Sequence, residues 1–296
     1  MKKIIVTLLF IGALQEQIAA QSGILVNTDW LKTRMQQKNL VIYHVGRESD
    51  YQAEHIDGAI FMDVDKFTYE DDTHVFDLPS DRALQDLFEN TGLTSNDDVV
   101  IYTPSNWIPI MTRLYFTMNY IGHGDRTYIL NGGLLEWKAK GEAVTTAIPE
   151  HKKSTFTIKP DKNLVADTRY VAEHLKDPNT SIVDCRAEVY YTGIDINEHH
   201  SGGRKGHIAG AKNIPYTKLY EKTSSGAFKI IDSEEMKELF EAQGVQKNKE
   251  LILYCHIGMQ LTVVYTAAKV LGFKNIRVYD GSFHEYGPSS HPVELD

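Results

Sequence analysis

Cysteine is nearly missing from this chain: Cys185 and Cys255 are the only two in 296 residues. Two cysteines cannot build the disulfide framework of a small secreted domain or a four-cysteine zinc site. Clustered positive charge is also missing. The net charge is −9 and no lysine- and arginine-rich run occurs, which removes the usual basis for binding nucleic acid or an anionic membrane. There is no low-complexity tract, and no apolar run is long enough to cross a bilayer comfortably. What remains is an ordinary globular composition, in a chain long enough for one large domain or two common-sized ones.

One end departs from that composition. Lys2-Lys3 precede an apolar run over 4–14, and a polar stretch follows, ending at Ala19-Ala20. This is the order of a bacterial secretory leader. It predicts a signal peptide over 1–20 and an exported protein, periplasmic or secreted, with no membrane attachment after cleavage.

The rest reads as one plan used twice. In the first half, helical spacing begins at Thr28, and Leu40–Val45 forms an apolar strand before Arg47. His55-Ile56-Asp57-Gly58-Ala59 comes next, then a capped helix over 81–90, a buried strand ending at Tyr102, and Asn131-Gly132-Gly133. The second half has a helix from Thr168, a strand ending at Asp184, then Arg186. His207-Ile208-Ala209-Gly210-Ala211, a helix over 233–242, a buried strand ending at Tyr254, and Asp280-Gly281-Ser282 follow. The offset is about 150 residues, an ordinary domain length. Alternating strands and helices predict α/β units, each with a mainly parallel sheet flanked by helices. The expected boundaries are 23–143 for the first unit and 164–296 for the second. Residues 144–163, with Pro149 and Pro160, read as the linker.

Chemistry concentrates at Cys255. Leu251–Tyr254 is a strand, His256–Gln260 a short loop, and Leu261, Val264, Tyr265, Ala268 and Leu271 recur at helical spacing up to a stop at Gly272. Strand, loop and helix aim backbone N–H groups and a positive helix end at one sulfur. That arrangement predicts a lowered thiol pKa and a nucleophile. The first half has Tyr102-Thr103-Pro104 at the same point. It lacks the thiol, and proline removes a donor, so the first unit is expected to have no chemistry of its own.

These residues resemble the tandem rhodanese-type sulfurtransferases, the group holding thiosulfate and 3-mercaptopyruvate sulfurtransferases. The carriers are Asp184-x-Arg186, Gly206-His207-Ile208-x-Gly210-Ala211 with Asn213-Ile214-Pro215, Cys255-x-x-Gly258, and Tyr279-Asp280-Gly281-Ser282. In the first half Arg47, residues 55–59 and Asn131-Gly132-Gly133 are the counterparts. The resemblance implies two tandem rhodanese-like domains. It also implies a Cys255 persulfide that takes sulfur from a small anionic donor, thiosulfate or 3-mercaptopyruvate, and gives it to a thiol or cyanide. No cofactor or metal is implied. The substrate-binding residues would be Arg186, Arg204 and the loop His256, Ile257, Gly258, Met259 and Gln260. Arg186 could equally pair with Asp184, and Arg204 could lie in solvent. The chain departs from the pattern at His256 and Ile257, where thiosulfate-preferring members of the family carry cations and mercaptopyruvate-preferring ones glycine and serine, and at Tyr190, where a second substrate arginine is expected. The resemblance also makes the strands ending at Cys185 and Cys255 neighbours, within reach of a disulfide.

Three other readings compete. A cysteine phosphatase or arsenate reductase needs an arginine six positions after its cysteine, where this chain has Leu261. A persulfide carrier or binding module would use the cleft between the units without turnover of small donors. A papain-like hydrolase lacks its local signature. Glu198-His199-His200 lacks the spacing of a histidine zinc motif.

Overall fold

Uninterrupted apolar runs such as Val99-Val100-Ile101 and Leu251-Ile252-Leu253 suit strands covered on both faces, and all six residues are buried. The computed structural model describes residues 23–296; the expected leader lies outside the described residues. Strands β1 (Leu25–Val26), β2 (Leu40–Val45), β3 (Ala59–Met62), β4 (Asp98–Tyr102) and β5 (Thr127–Leu130) form one sheet in the order β1-β5-β4-β2-β3. Strands β6 (Val165–Ala166), β7 (Thr180–Asp184), β8 (Lys212–Asn213), β9 (Glu250–Tyr254) and β10 (Ile276–Tyr279) form a second sheet in the order β6-β10-β9-β7-β8. Every pairing within the two five-stranded sheets is parallel. The same order twice is the three-dimensional form of the sequence repeat, and helices flank both sheets.

Registers correct one detail of that repeat. His44 faces Tyr102 across β2 and β4, as Asp184 faces Tyr254 across β7 and β9. Counting two residues on, the counterpart of Arg186 is Gly46, not Arg47. Arg47 is exposed and takes the N-cap position of the helix Glu48–Ala53.

Two helices join the units. Helix α1 (Ile108–Tyr120) follows the Thr103 loop, and α2 (Leu261–Val270) follows the Cys255 loop. They meet through the Thr112 and Thr262 hydroxyls, 2.8 Å apart, and through Phe116 edge-on to Tyr265. One apolar cluster runs from Tyr43 in the first sheet to Val278 in the second. The stretch read as a linker is not free. Ser154 N–H donates to Glu89 O, Lys159 N–H to Ile121 O, and Phe156 is buried, so the segment lies along the first unit as an extended strap. No helix among the described residues is long and apolar enough to cross a membrane.

Candidate active site

Cys255 stands at the carboxyl end of β9, where an open parallel sheet places its sites. Its side chain is wholly buried. Burial pushes the thiol above its ordinary pKa, while the N–H groups of Leu261, Ile257 and Gln260 and the Ser282 hydroxyl pull it down. This corrects the expected fall in pKa. The donors are present, but loss of water outweighs them in the free thiol. The same donors converge where a sulfur anion would sit, and the loop supplies them without a side-chain cation.

The loop is held from beneath by Ser282. Its Oγ accepts from Cys255 N–H at 3.1 Å and Gly258 N–H at 3.2 Å, donates to Tyr279 O at 2.8 Å, and lies 3.9 Å from the sulfur. Ser282 is one of two non-glycine residues with positive φ among those described, at 53°. In the first unit Gly133, with φ 55°, holds the same place: Leu134 N–H donates to Thr103 O as Phe283 N–H donates to Cys255 O. The first unit thus has no hydroxyl under its loop and no thiol on it. A Cβ at Gly46, the Arg186 counterpart, would stand 3.0 Å from the Pro104 ring.

Gly258 takes φ 79°, and a Cβ there would stand 2.6 Å from Asp280 Oδ1. Its carbonyl accepts from Arg113 Nη1 at 3.0 Å. Arg113 comes from α1 of the first unit, is fully buried, and also grips the Asp280 carboxylate at 2.5 and 3.1 Å. Asp280 accepts from Leu78 N–H at 2.7 Å. The unit without a thiol therefore shapes the loop that has one. Arg113 was missed from the sequence, although one arginine inside the apolar run IPIMTRLYF was a readable signal.

The two arginines expected on the donor are engaged elsewhere. Arg186 is buried; its guanidinium binds the Asp184 carboxylate at 2.5–3.0 Å and Gly206 O at 2.7 Å, and lies over the Phe283 ring. Asp184 also accepts from Tyr254 OH, which in turn accepts from Ile208 N–H. This network ties β7, β9 and the Gly206–Ala211 turn together. Of the two readings of Arg186, the geometry is that of the pair with Asp184. Arg204 donates to Ser289 O at 2.8 Å and His291 O at 2.9 Å, so it ties down the C-terminal turn rather than standing free in solvent. Both arginines are held for the same reason: the fold brings backbone carbonyls and a carboxylate against their forks.

His256 follows Cys255 in the chain, with Tyr190 edge-on to its ring at 4.7 Å. Burial, with Arg186 nearby, lowers its pKa to about 4, so the imidazole is neutral at physiological pH. Ile257 and Gln260 are half-buried, and Met259 is buried in the core. Tyr216, not foreseen, faces the thiol and the Gln260 side chain; burial raises its pKa. Tyr190 thus packs on His256, and Tyr216 on the Gln260 side chain near the thiol. His55 and His207 are structural, stacked on Tyr51 and Tyr191 and bonded to the carbonyls of those tyrosines.

A family model described as a rhodanese-like domain matches residues 27–140 and again 167–288. The chain is 30% identical over 279 residues to the Sulfur carrier protein TtuD of Thermus thermophilus, covering 90% of this chain and 95% of that protein. It is 28% identical over 245 residues to the thiosulfate sulfurtransferase of Cricetulus griseus, covering 82% and 80%. Among solved structures, YnjE aligns with a TM-score of 0.79 at 21% identity, over 92% of this chain and 68% of that one. EanB aligns with a TM-score of 0.77 at 21% identity, over 92% and 69%. These two likenesses speak to the fold alone.

Proposed function

We propose, since this chain belongs to the rhodanese-like domain family and carries that domain twice, that its sulfur transfer runs through a persulfide on Cys255. The observation that carries this reading is the ring of N–H donors from Ile257, Gln260 and Leu261 around a sulfur at the head of α2. In the first step the Cys255 thiolate attacks the outer sulfur of thiosulfate. The donor S–S bond breaks, sulfite leaves with its electron pair, and Cys255 holds a persulfide anion. With 3-mercaptopyruvate the carbon–sulfur bond breaks instead and pyruvate leaves, its methyl carbon taking a proton. In the second step a thiolate or cyanide attacks the outer sulfur and the Cys255 thiolate departs. Each step is nucleophilic displacement at sulfur, in a ping-pong order.

The engagement of the two nearby arginines bears on donor choice. Thiosulfate carries two negative charges, and Arg186 and Arg204 are engaged by other groups. The donor's charge then falls on the loop N–H groups, which favours the singly charged 3-mercaptopyruvate. The lysine pair and short apolar run at the N-terminus support action outside the cytosol.

The test is a side-by-side assay of both donors, with mass spectrometry of the protein after donor treatment. The expected product is a gain of about 32 Da, one sulfur, on the Cys255 peptide. Cys255→Ser should keep the fold and lose transfer from both donors, because the hydroxyl does not ionise there. Transfer near the parent rate in that variant would overturn the reading. A second reading, a carrier that hands sulfur to a protein partner, is favoured by the full burial of Cys255 and by the relative named a sulfur carrier. It predicts one loading event per chain and negligible turnover with cyanide.

A further inference from the structure

A loop of the first unit reaches the second unit beside the Asp280-Gly281-Ser282 turn, where Leu78 N–H meets the Asp280 carboxylate. Three side chains converge there. His74 and Asp77 come from the loop, and Glu285 from α3 (Ser282–Tyr286). Each offers one ligand atom, and those atoms all lie within 4.8 Å of one another, the only such group among the described residues. Asp77 Oδ1 is buried and has no hydrogen-bond partner. An oxygen in that state loses solvation without recovering it from protein.

The other two side chains are held as ligands usually are. Asp71 Oδ1 lies 2.9 Å from His74 Nδ1, as does Thr73 Oγ1; with Nδ1–H donating to the carboxylate, the ring's lone pair is on Nε2. A carboxylate behind a histidine fixes its tautomer in this way at metal centres. Thr168 Oγ1 donates to Glu285 Oε2 at 3.1 Å. The Glu285 carboxylate is laid over Gly281, where any Cβ would collide with it. The Thr168 bond leaves Glu285 Oε1 available.

We infer that His74, Asp77 and Glu285 bind one divalent first-row transition-metal cation that clamps the first unit to the helix after the active-site turn. One imidazole and two carboxylates are a borderline-to-hard set, suited to manganese or zinc. The two carboxylate charges balance a divalent ion, and three protein ligands leave positions for water. The sequence hid the site because Glu285 lies more than 200 residues from His74 and Asp77, on the other unit. This inference is independent of the sulfur chemistry.

Manganese is the probe, because a hard cation leaves the Cys255 thiol alone. The full chain, stripped with chelator, is titrated with Mn²⁺ by calorimetry and electron paramagnetic resonance. The expected result is one saturable site per chain, weakened by about tenfold or more in both His74→Ala and Glu285→Gln. Cys255→Ser should bind as the parent does. Mn²⁺ should also raise the thermal midpoint of the parent and not of the two ligand variants. No saturable binding into the millimolar range overturns the inference. So does binding kept within tenfold in either ligand variant, or binding lost in Cys255→Ser.

Discussion

Ser282 combines a backbone conformation that serine rarely adopts with two bonds that only a hydroxyl can accept there. The conformation costs on the order of 1 kcal/mol, and each buried N–H left unsatisfied costs about 1–3 kcal/mol. The hydrogen bonds win, which is why the strained residue is kept. Ser282→Ala retains the strain and loses the bonds. It should destabilise the protein by about 2 kcal/mol or more and slow loading of Cys255 by donor. Ser282→Gly, the first unit's choice, relieves the strain and should be less destabilised, yet as slow. Urea unfolding and the single-turnover rate of persulfide formation measure both. An alanine variant as stable and as fast as the parent would sink the argument.

At the scale of the element, strand register decides what the second cysteine does. Tyr254 pairs with Asp184, so Cys255 and Cys185 are the next pair along neighbouring parallel strands. Residues at matched positions point to the same face. Both thiols lie in the same apolar cluster, and Cys185 N–H donates to Tyr254 O at 2.8 Å. Their strand ends are about 5 Å apart by sheet spacing, inside the range a disulfide tolerates. Peroxide that oxidises Cys255 to a sulfenic acid should therefore give a Cys185–Cys255 bridge, with water leaving as the thiol condenses. Dithiothreitol should restore activity. Persulfide-loaded protein should resist. Peptide mapping settles it: a Cys185→Ala variant that recovers as fully as the parent, with no bridged peptide in the parent, counts against the bridge.

For the whole molecule, buried ionisable groups tie stability to pH. Burial lowers both His44 and His256 to about 4. An unfolded chain returns them to about 6.5 and binds more protons between those values. Stability is therefore greatest above about 6.5 and falls as pH drops towards 4. Asp77 works the other way, raised to about 7 by burial with Asp280 and Glu285 nearby. Comparing one variant with the parent cancels such opposing groups. His256→Gln should remove about 2 kcal/mol of the acid-dependent loss between pH 7 and pH 5. Denaturant unfolding at pH 7 and pH 5 reads the difference; equal losses in parent and variant would refute it.

The repeat, the parallel sheets and the strand–loop–helix setting of Cys255 were legible in the residues because they depend on local pattern. Apolar runs of four or five residues specify buried strands, as at Leu251–Tyr254, and a glycine past an apolar helix stops it, as Gly272 does with φ 86°. Thr103 at the position of Cys255 was legible for the same local reason. Side-chain partnership is not local. Arg186 reads equally as a donor clamp or as the partner of Asp184, and Arg204 as a donor clamp or a solvated loop residue; only the fold brings Asp184, Gly206 and the C-terminal carbonyls against them. Arg113 acquired its place under the Cys255 loop only when α1 packed on α2. Even the thiol's pKa was decided this way. The N–H donors follow from strand, loop and helix, but the burial that outweighs them comes only with tertiary packing, which encloses the sulfur completely.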